Sequence, residues 1–531
     1  MNFYSRLADI RLANKTFLLL LFLFFLYSLN YHFFDGVMPI HEWRKSDSLS
    51  IAWNYYQGSS FLAPETNHIS SFGNRNAATE FPLIYYFVGN LWKLFGPYEW
   101  IAKLISFSTL IVSLSLFSSV VNYFLESQVK TLVFIGIIFS SPVLLFYADS
   151  LLPNIFSFAF LLFSAYFLFN FIVRKKKWAI GFFTLFLSLA VLIKVTVLIS
   201  LLTFAGGATM YYFLHEKNLF TKHTRTFLFL LGACCIMLLS TYLWYSFAID
   251  YNSHYHSTLF STTIRPIWEV DAQRQKEIWE IIWKHQFNSL YNYWAFVPTI
   301  LFVLYLAVLN KISVFFYWLI GIGFIGVVNY LLLWFWVFDV HDYYLIEMLF
   351  FPLIFFFIAI KYSDKPSNTN RKPTKYFSFC VLILVFLQAV SYTQIAFGKD
   401  NIITKNTFLV SQFIKGNWGY FHWYHSDHLK KLQTQKKEIQ QIISEKDTVL
   451  CLSDPSPNVH LYTIGRRGYS SFSFEKNQPY PSQIPSFVKK GTRYLLVVGN
   501  EALDTLMKQF TRDTIYAKNS VFIFDLKSNK N

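Results

Sequence analysis

Apolar runs of membrane-crossing length, separated by short polar breaks, fill the chain as far as residue 397. A helix needs about 20 apolar residues to cross the hydrocarbon core of a bilayer. That length, applied along the chain, predicts about eleven spanning helices. They fall near residues 16–33, 99–125, 131–148, 152–173, 178–193, 195–214, 226–248, 287–309, 312–336, 343–361 and 375–397. The first run follows Arg6, Arg11 and Lys15, as the apolar part of a signal peptide does. It continues into Tyr31, His32, Phe33 and Phe34 with no small-residue cleavage site, so it reads as a retained anchor.

Two stretches break the pattern informatively. In residues 34–98, Leu49, Ala52, Trp53 and Tyr56 recur at helical spacing. They predict an amphipathic helix lying in the membrane interface. A second apolar helix follows Thr79-Glu80-Phe81-Pro82 and ends at Phe95-Gly96-Pro97. Residues 398–531 are polar, with Lys430-Lys431 and Lys436-Lys437 on an amphipathic helix ending near Ser444. Strand-like runs follow at Thr448–Leu452, Tyr494–Val498 and Val521–Asp525, with a helical stretch Glu501–Phe510 between the last two. Helix alternating with strand predicts a small α/β domain of about 130 residues. The expected organisation is therefore an α-helical polytopic membrane domain over 1–397, including the loop 34–98, followed by an α/β domain over 398–531. Gly465-Arg466-Arg467-Gly468 lacks the spacing of a nucleotide-binding loop.

Composition supports the membrane reading. The chain is 54% hydrophobic and only 14% charged, where soluble domains carry about 25% charge. That excludes a disordered chain, a fibrous one and a single soluble globule. The net charge of +16 would suggest nucleic acid on a soluble protein. Here the basic residues sit in short loops, and no nucleic-acid-binding motif accompanies them, so no nucleic-acid partner is expected. Lys130, Arg174 to Lys177, Lys217, Lys222, Arg225, Lys311, Lys361, Lys365, Arg371, Lys372 and Lys375 fall in alternate loops. By the positive-inside rule those loops and the N-terminus are cytoplasmic. The turns near 149–151 and 337–342 contain no Lys or Arg. Segments 34–98, 249–286 and 398–531 are then outside. Four cysteines without a C-x-x-C pair predict neither a disulfide framework nor a zinc site.

The outer segments contain the candidate chemistry. Asp47 follows Arg44-Lys45-Ser46. A carboxylate beside cations at the edge of a low-dielectric region has an easily moved pKa and can act as a general base. The competing reading makes Asp47 the cap of a helix starting at Ser48. Asp149 sits at an outer turn before Pro153, as either a cap or a second acid. Lys194 interrupts the apolar run 178–214 at its midpoint; a lysine at that depth needs a partner or a substrate, or snorkels to headgroups. Asp339-Val340-His341-Asp342-Tyr343-Tyr344 opens a span, and residues 249–286 add His254, His256, Arg265 and Arg274. Acids, cations and aromatics on one face suit a phosphate-bearing lipid: Arg and Lys hold phosphate, and aromatics stack on a sugar. The expectation is that these positions converge in one cavity at the outer leaflet.

His41-Glu42-Trp43-Arg44…Asp47, then Ala52…Asn54-Tyr55-Tyr56, Glu80-Phe81-Pro82-Leu83…Tyr85-Tyr86 and Leu94-Phe95-Gly96 resemble the first outer loop of bacterial family-39-type glycosyltransferases. These belong to the GT-C superfamily, with protein O-mannosyltransferases and lipid A aminoarabinose transferases. Lys194 in Leu192-Ile193-Lys194-Val195-Thr196 and the run His341–Tyr344 also look like that group. The resemblance implies a multi-pass enzyme of the bacterial inner (plasma) membrane, taking a sugar from a polyprenyl-phosphate carrier on the extracytoplasmic face. The acceptor is a hydroxyl of lipid, glycan or protein. It implies Asp47 and Asp149 as catalytic acids. Arg44, Lys45, Glu80, Lys194, Arg265, His341, Asp342, Tyr343 and Tyr344 are then the expected donor-binding positions. No metal is obligatory; Glu80 with a loop histidine is where a divalent cation would bind. Phe81 stands where the aminoarabinose-transferase pattern has lysine, and Ser48 where protein mannosyltransferases have a second acid. A transporter or flippase of lipid-linked sugars is the alternative reading, and a non-catalytic scaffold a third.

Overall fold

The computed structural model describes residues 3–27, 32–37, 40–215, 219–260, 263–363, 371–405, 409–475, 477–499 and 513–526. The expected helix Glu501–Phe510 lies outside the described residues. Two compact units divide the chain. The first comprises Met1–Phe33, Leu104–Trp244 and Thr263–Gly416; the second comprises Phe34–Lys103, Tyr245–Thr262 and Asn417–Asn531.

The helices follow the apolar windows, with breaks where the sequence supplies a physical reason. In chain order the first are α1 (Phe3–Leu26), α2 (Glu42–Tyr56), α3 (Leu83–Phe95), α4 (Glu99–Leu125), α5 (Gln128–Phe139), α6 (Pro142–Tyr147), α7 (Pro153–Ile172) and α8 (Ala179–Ile193). The window 131–148 is two helices, because Pro142 cannot continue the helix that ends at Ser140. Pro153 opens α7 at its first position, where a missing N–H costs nothing. Lys194 stands in extended conformation between α8 and Val197–Leu201, so the long run does break there. The window 287–309 breaks at Tyr291, and 343–361 opens as a 3-10 helix, Asp342–Met348, before Phe350–Tyr362. Five helices among the described residues are long and apolar enough to cross a membrane, or up to seven if each bent pair is one span. The chain is a multi-pass membrane protein.

In the first unit, buried hydroxyls pair across helices rather than face lipid. Tyr27 and Ser140 are 2.6 Å apart, Ser289 and Tyr392 2.7 Å, and the Tyr291 hydroxyl donates to the Ile137 carbonyl at 3.0 Å. Such bonds join elements distant in sequence where no water competes.

The second unit contains a five-stranded sheet: β1 (Thr448–Cys451), β2 (Arg467–Ser470), β3 (Tyr494–Val498), β4 (Thr514–Lys518) and β5 (Val521–Asp525), ordered β2-β1-β3-β5-β4. β1 is parallel to β2 and β3, while β5 is antiparallel to β3 and β4. Alternating side chains serve two cores. Val449, Cys451, Leu496 and Val498 pack with Leu432, Ile439 and Leu461 on one face. Leu450, Leu495, Val497 and Phe524 pack with Ile484 and Phe487 on the other. The loop before α3 joins this sheet. His68 bridges Gly468 in parallel, the Ile69 N–H donates to the Gly468 carbonyl at 2.7 Å, and the Gly468 N–H donates to the Asn67 carbonyl at 3.1 Å. Only glycine fits at 468, since a Cβ there would lie 1.8 Å from the Val449 carbonyl oxygen.

Candidate active site

α2 starts at Glu42, not at Ser48, with His41 in the left-handed region at φ 55° as its cap. Asp47 therefore lies inside the helix and caps nothing. Nor is α2 a helix with one buried apolar stripe. Lys45, Ser46, Asp47, Ser48, Ser50 and Asn54 are all buried along with Leu49, Ile51 and Ala52. Its apolar side meets α3 closely enough that a Cβ at Gly89 would lie 2.7 Å from the Ala52 carbonyl oxygen. Its polar side packs on the helix Val459–Ile464. The spacing located the helix; the polar burial reflects packing against a segment about 400 residues away, which no local pattern announces.

Asp47 is 4% exposed. Its Oδ1 accepts from Asn458 Nδ2 at 2.8 Å. Asn458 Oδ1 in turn accepts from the His68 N–H at 3.0 Å and the Ser50 hydroxyl at 3.2 Å. A backbone N–H can only donate, so this contact fixes the amide's orientation and aims its NH2 group at Asp47. Asn458 is itself held in a polar turn. Asp454 accepts from the Ser456 N–H at 2.9 Å, its hydroxyl at 2.5 Å and the His460 N–H at 2.7 Å.

Burial pushes the Asp47 carboxyl up to about 7. The Arg44 charge and the Asn458 hydrogen bond pull the other way, and the charges of Asp454 and Glu80 add to the rise. Replacing Asn458 by Ala removes a bond to the ionised form, so the Asp47 carboxyl is expected to titrate higher. Carboxyl-resolved infrared titration of purified protein checks this. An unchanged midpoint would separate Asn458 from the acid.

Arg44 pairs with Glu80 and lies 3.4 Å from the Tyr85 hydroxyl. Its guanidinium also stands over the Phe260 ring, 5.7 Å from the centroid. Glu80 accepts from the hydroxyls of Tyr85 and Thr79 as well. Tyr85 is fully buried, and burial next to Glu80 raises its hydroxyl pKa well above the ordinary value, so it stays a donor. Arg44, Glu80 and Tyr85 thus form a bonded, largely buried group in the second unit, and the charges of Arg44 and Glu80 act on Asp47. Lys45 is also in that unit and is 8% exposed.

Asp149, Lys194, Arg265, His341, Asp342, Tyr343 and Tyr344 belong to the first unit. Asp149 is buried, but the cap residue of α7 is Leu152, so Asp149 does not cap it. Asp342 is buried and accepts from the Tyr147 hydroxyl at 2.5 Å. His341 Nδ1 lies 3.3 Å from the Tyr343 hydroxyl. Arg265 is exposed, and its backbone N–H donates to the Leu333 carbonyl. Lys194 sits 3.9 Å from the centre of the Tyr344 ring, and its charge acts on Glu347. Glu347 is 3% exposed and accepts from Asn154 Nδ2 at 2.8 Å and the Tyr330 hydroxyl at 3.1 Å.

Asn458, Asp454 and Glu347 were not singled out by the sequence reading, and Tyr85 entered it only as part of the motif Glu80 to Tyr86. Glu347 had a usable signal, an acid within an apolar span. Asp454-Pro455-Ser456-Pro457-Asn458 reads as a turn, with nothing local to tie it to Asp47. Among the described residues no three His, Cys, Asp or Glu gather into a group that could hold a metal ion.

No protein-family model matches the chain, and no curated protein matches it. Solved structures do. ArnT from Cupriavidus metallidurans, a lipid A aminoarabinose transferase crystallised bound to undecaprenyl phosphate, superposes with a TM-score of 0.57 over 99% of this chain and 98% of its own, at 9% identity. Its apo form gives the same score at 10% identity over 96% of this chain and 98% of its own. The chain has a GT-C glycosyltransferase-like fold. AglB from Archaeoglobus fulgidus, an archaeal oligosaccharyltransferase in complex with an inhibitory peptide and a dolichol-phosphate, aligns over 98% of this chain and 74% of its own, at 10% identity and a TM-score of 0.43, too low to bear on the argument. At this identity the likeness in fold says nothing of individual residues.

Proposed function

We propose that the protein is a membrane glycosyltransferase that moves a sugar from a polyprenyl-phosphate donor to a hydroxyl acceptor, with Asp47 as the base. The observation that carries this reading is the buried Asp47 carboxyl, pushed up to about 7 and aimed by Asn458, with Arg44 on the same helix. A base near the working pH is ionised often enough to accept a proton and basic enough to hold it. Asp47 takes the proton of the acceptor hydroxyl as its oxygen attacks the anomeric carbon. The bond from that carbon to the phosphate oxygen breaks, and the phosphate leaves with the electron pair. One in-line displacement inverts the anomeric centre. Arg44 offers its fork of N–H donors to the leaving phosphate, with Glu80 and Tyr85 fixing the guanidinium. The undecaprenyl phosphate bound to ArnT is the kind of carrier expected here. The reaction needs no obligatory metal, and the site would face the extracytoplasmic side of a bacterial inner membrane, with the N-terminus cytoplasmic.

The test is transfer of radiolabelled sugar from synthetic polyprenyl-phosphate donors to envelope fractions by purified protein in nanodiscs. Label appearing in an acceptor supports the reading; labelled donor left intact across all donors and fractions refutes it. The rate is expected to rise with pH through an apparent pKa near 7 and to level above it, because only the carboxylate accepts a proton. A rate flat from pH 5 to 9 would remove Asp47 from the base's role.

One observation favours the transport reading. Glu347 lies on the bent pair Asp342–Met348 and Phe350–Tyr362, which turns by 49°. Broken helices with intramembrane charge mark substrate paths in transporters. Donor-dependent flux into proteoliposomes without glycosidic bond formation would select that reading.

A further inference from the structure

A groove of about 450 Å³ in the second unit has neither Asp47 nor Arg44 among its lining residues. Its floor is the sheet edge. β2 is the outermost strand, and Arg467 and Tyr469, two apart, project from the same side of it. Thr448 stands opposite Arg467 in register. The wall is the loop 69–75, which brings Phe72 and Arg75, and Lys490 lines the groove beside it.

The wall is built rather than draped. Ile69 is tied to Gly468 at one end. At the other, Asn74 Nδ2 donates to the Tyr255 carbonyl at 2.9 Å, and the Phe72 ring lies 4.6 Å from that of His256. Lys490 Nζ donates to the Ser71 carbonyl at 2.9 Å. Arg75 donates to Glu65 at 2.6 Å and to Asn54 at 2.8 Å; Arg467 donates to the Lys446 carbonyl at 3.1 Å. A guanidinium has five N–H donors and an ammonium three, so these bonds leave each cation with donors to spare. Glu65 offsets one of the three charges.

Three cations converging on a groove with a 66% exposed phenylalanine, over a floor closed by the buried Tyr469, make a combination with a specific use. Cations pair with a phosphate or carboxylate, and aromatic faces receive the apolar face of a pyranose ring. The volume suits one or two sugar units, at the small end of ligand pockets. We propose that this groove binds an anionic saccharide, and that it is the docking site for the acceptor; the second half rests on the transferase reading above.

The probes are glucose 6-phosphate and glucuronate, against glucose and inorganic phosphate, titrated calorimetrically onto full-length protein in detergent. Binding is expected for at least one anionic sugar, more tightly than for glucose or phosphate alone. Arg467→Ala and Lys490→Ala are expected to weaken it by about tenfold each, the loss of one charge-assisted bond. Both side chains are partly or fully exposed, and thermal melts matching the parent exclude misfolding. Equal affinity in the double variant overturns the groove, as does glucose or phosphate binding as tightly as the anionic sugars. In the transfer assay, the variants are expected to raise KM for the acceptor with kcat unchanged; an unchanged KM overturns the acceptor assignment alone. Anionic-sugar binding that the variants abolish, in a protein with no transferase activity, upholds the groove and refutes the transferase.

Discussion

Replacing Asp47 by Asn is expected to lower sugar transfer by about 10²- to 10⁴-fold, the usual contribution of a positioned general base. The replacement is nearly isosteric. Its carbonyl oxygen still accepts from Asn458, so the helix contact that holds the residue at 2.8 Å persists. The loss is therefore chemical rather than structural, and stability supplies an independent check. The carboxyl titrates near 7 in the folded state against about 3.9 in an unfolded chain. A raised acid favours the folded state while protonated, and that contribution is lost as pH climbs from about 4 to about 7. A gap of this size corresponds to on the order of 4 kcal/mol. Asn cannot ionise, so the variant is expected to melt higher than the parent at pH 8 and alike at pH 4. A variant with parental turnover means the base lies elsewhere. A variant that melts lower at pH 8 means that Asp47 is there to stabilise the fold as a charge.

Lys194→Met is expected to lower the protein's stability, because it removes the cation whose charge acts on the buried Glu347 carboxyl. The charge left behind is Glu347, held by Asn154 and Tyr330 and only 3% exposed. Adding Glu347→Gln should recover most of that loss, because the amide has no charge to compensate; its oxygen still accepts from Asn154 Nδ2, and the Tyr330 hydroxyl, which can also accept, then meets the amide NH2. Denaturation of the single and double variants in detergent measures the coupling. This pair matters because the sequence offered Lys194 as a ligand for the donor phosphate. If Lys194 serves the phosphate instead, Lys194→Met weakens donor binding, leaves stability near parental, and is not rescued by Glu347→Gln.

Much of the architecture was legible in the hydropathy. α4, α7 and α8 match their expected windows within about one residue, because a 20-residue apolar run has few other fates in a membrane chain. β3 and β5 were legible for a related reason. β3 is buried on both faces of the sheet, so every residue is apolar or aromatic. β2 and β4 were not. Arg467-Gly468-Tyr469-Ser470 has no apolar run, and it is a strand because β1 and the loop at Asn67–Ile69 bond it from either side. The same limit applied to the site. Asp47, Arg44 and Glu80 stood out as ionisable groups beside apolar helices, whereas Asn458 became visible only when the chain brought it 2.8 Å from Asp47. Local pattern reports which residues are costly to bury; it does not report which distant partner makes the burial tolerable.

The most direct measurement follows both products of the reaction at once. Purified protein in nanodiscs is supplied with polyprenyl phosphate carrying a labelled sugar, and released polyprenyl phosphate and new glycosidic bond are counted together. The account predicts that they appear one for one, with the anomeric centre inverted and both lost in Asp47→Asn. Sugar released to water without an acceptor bond, or donor that crosses a bilayer with its phosphate link intact, would contradict it.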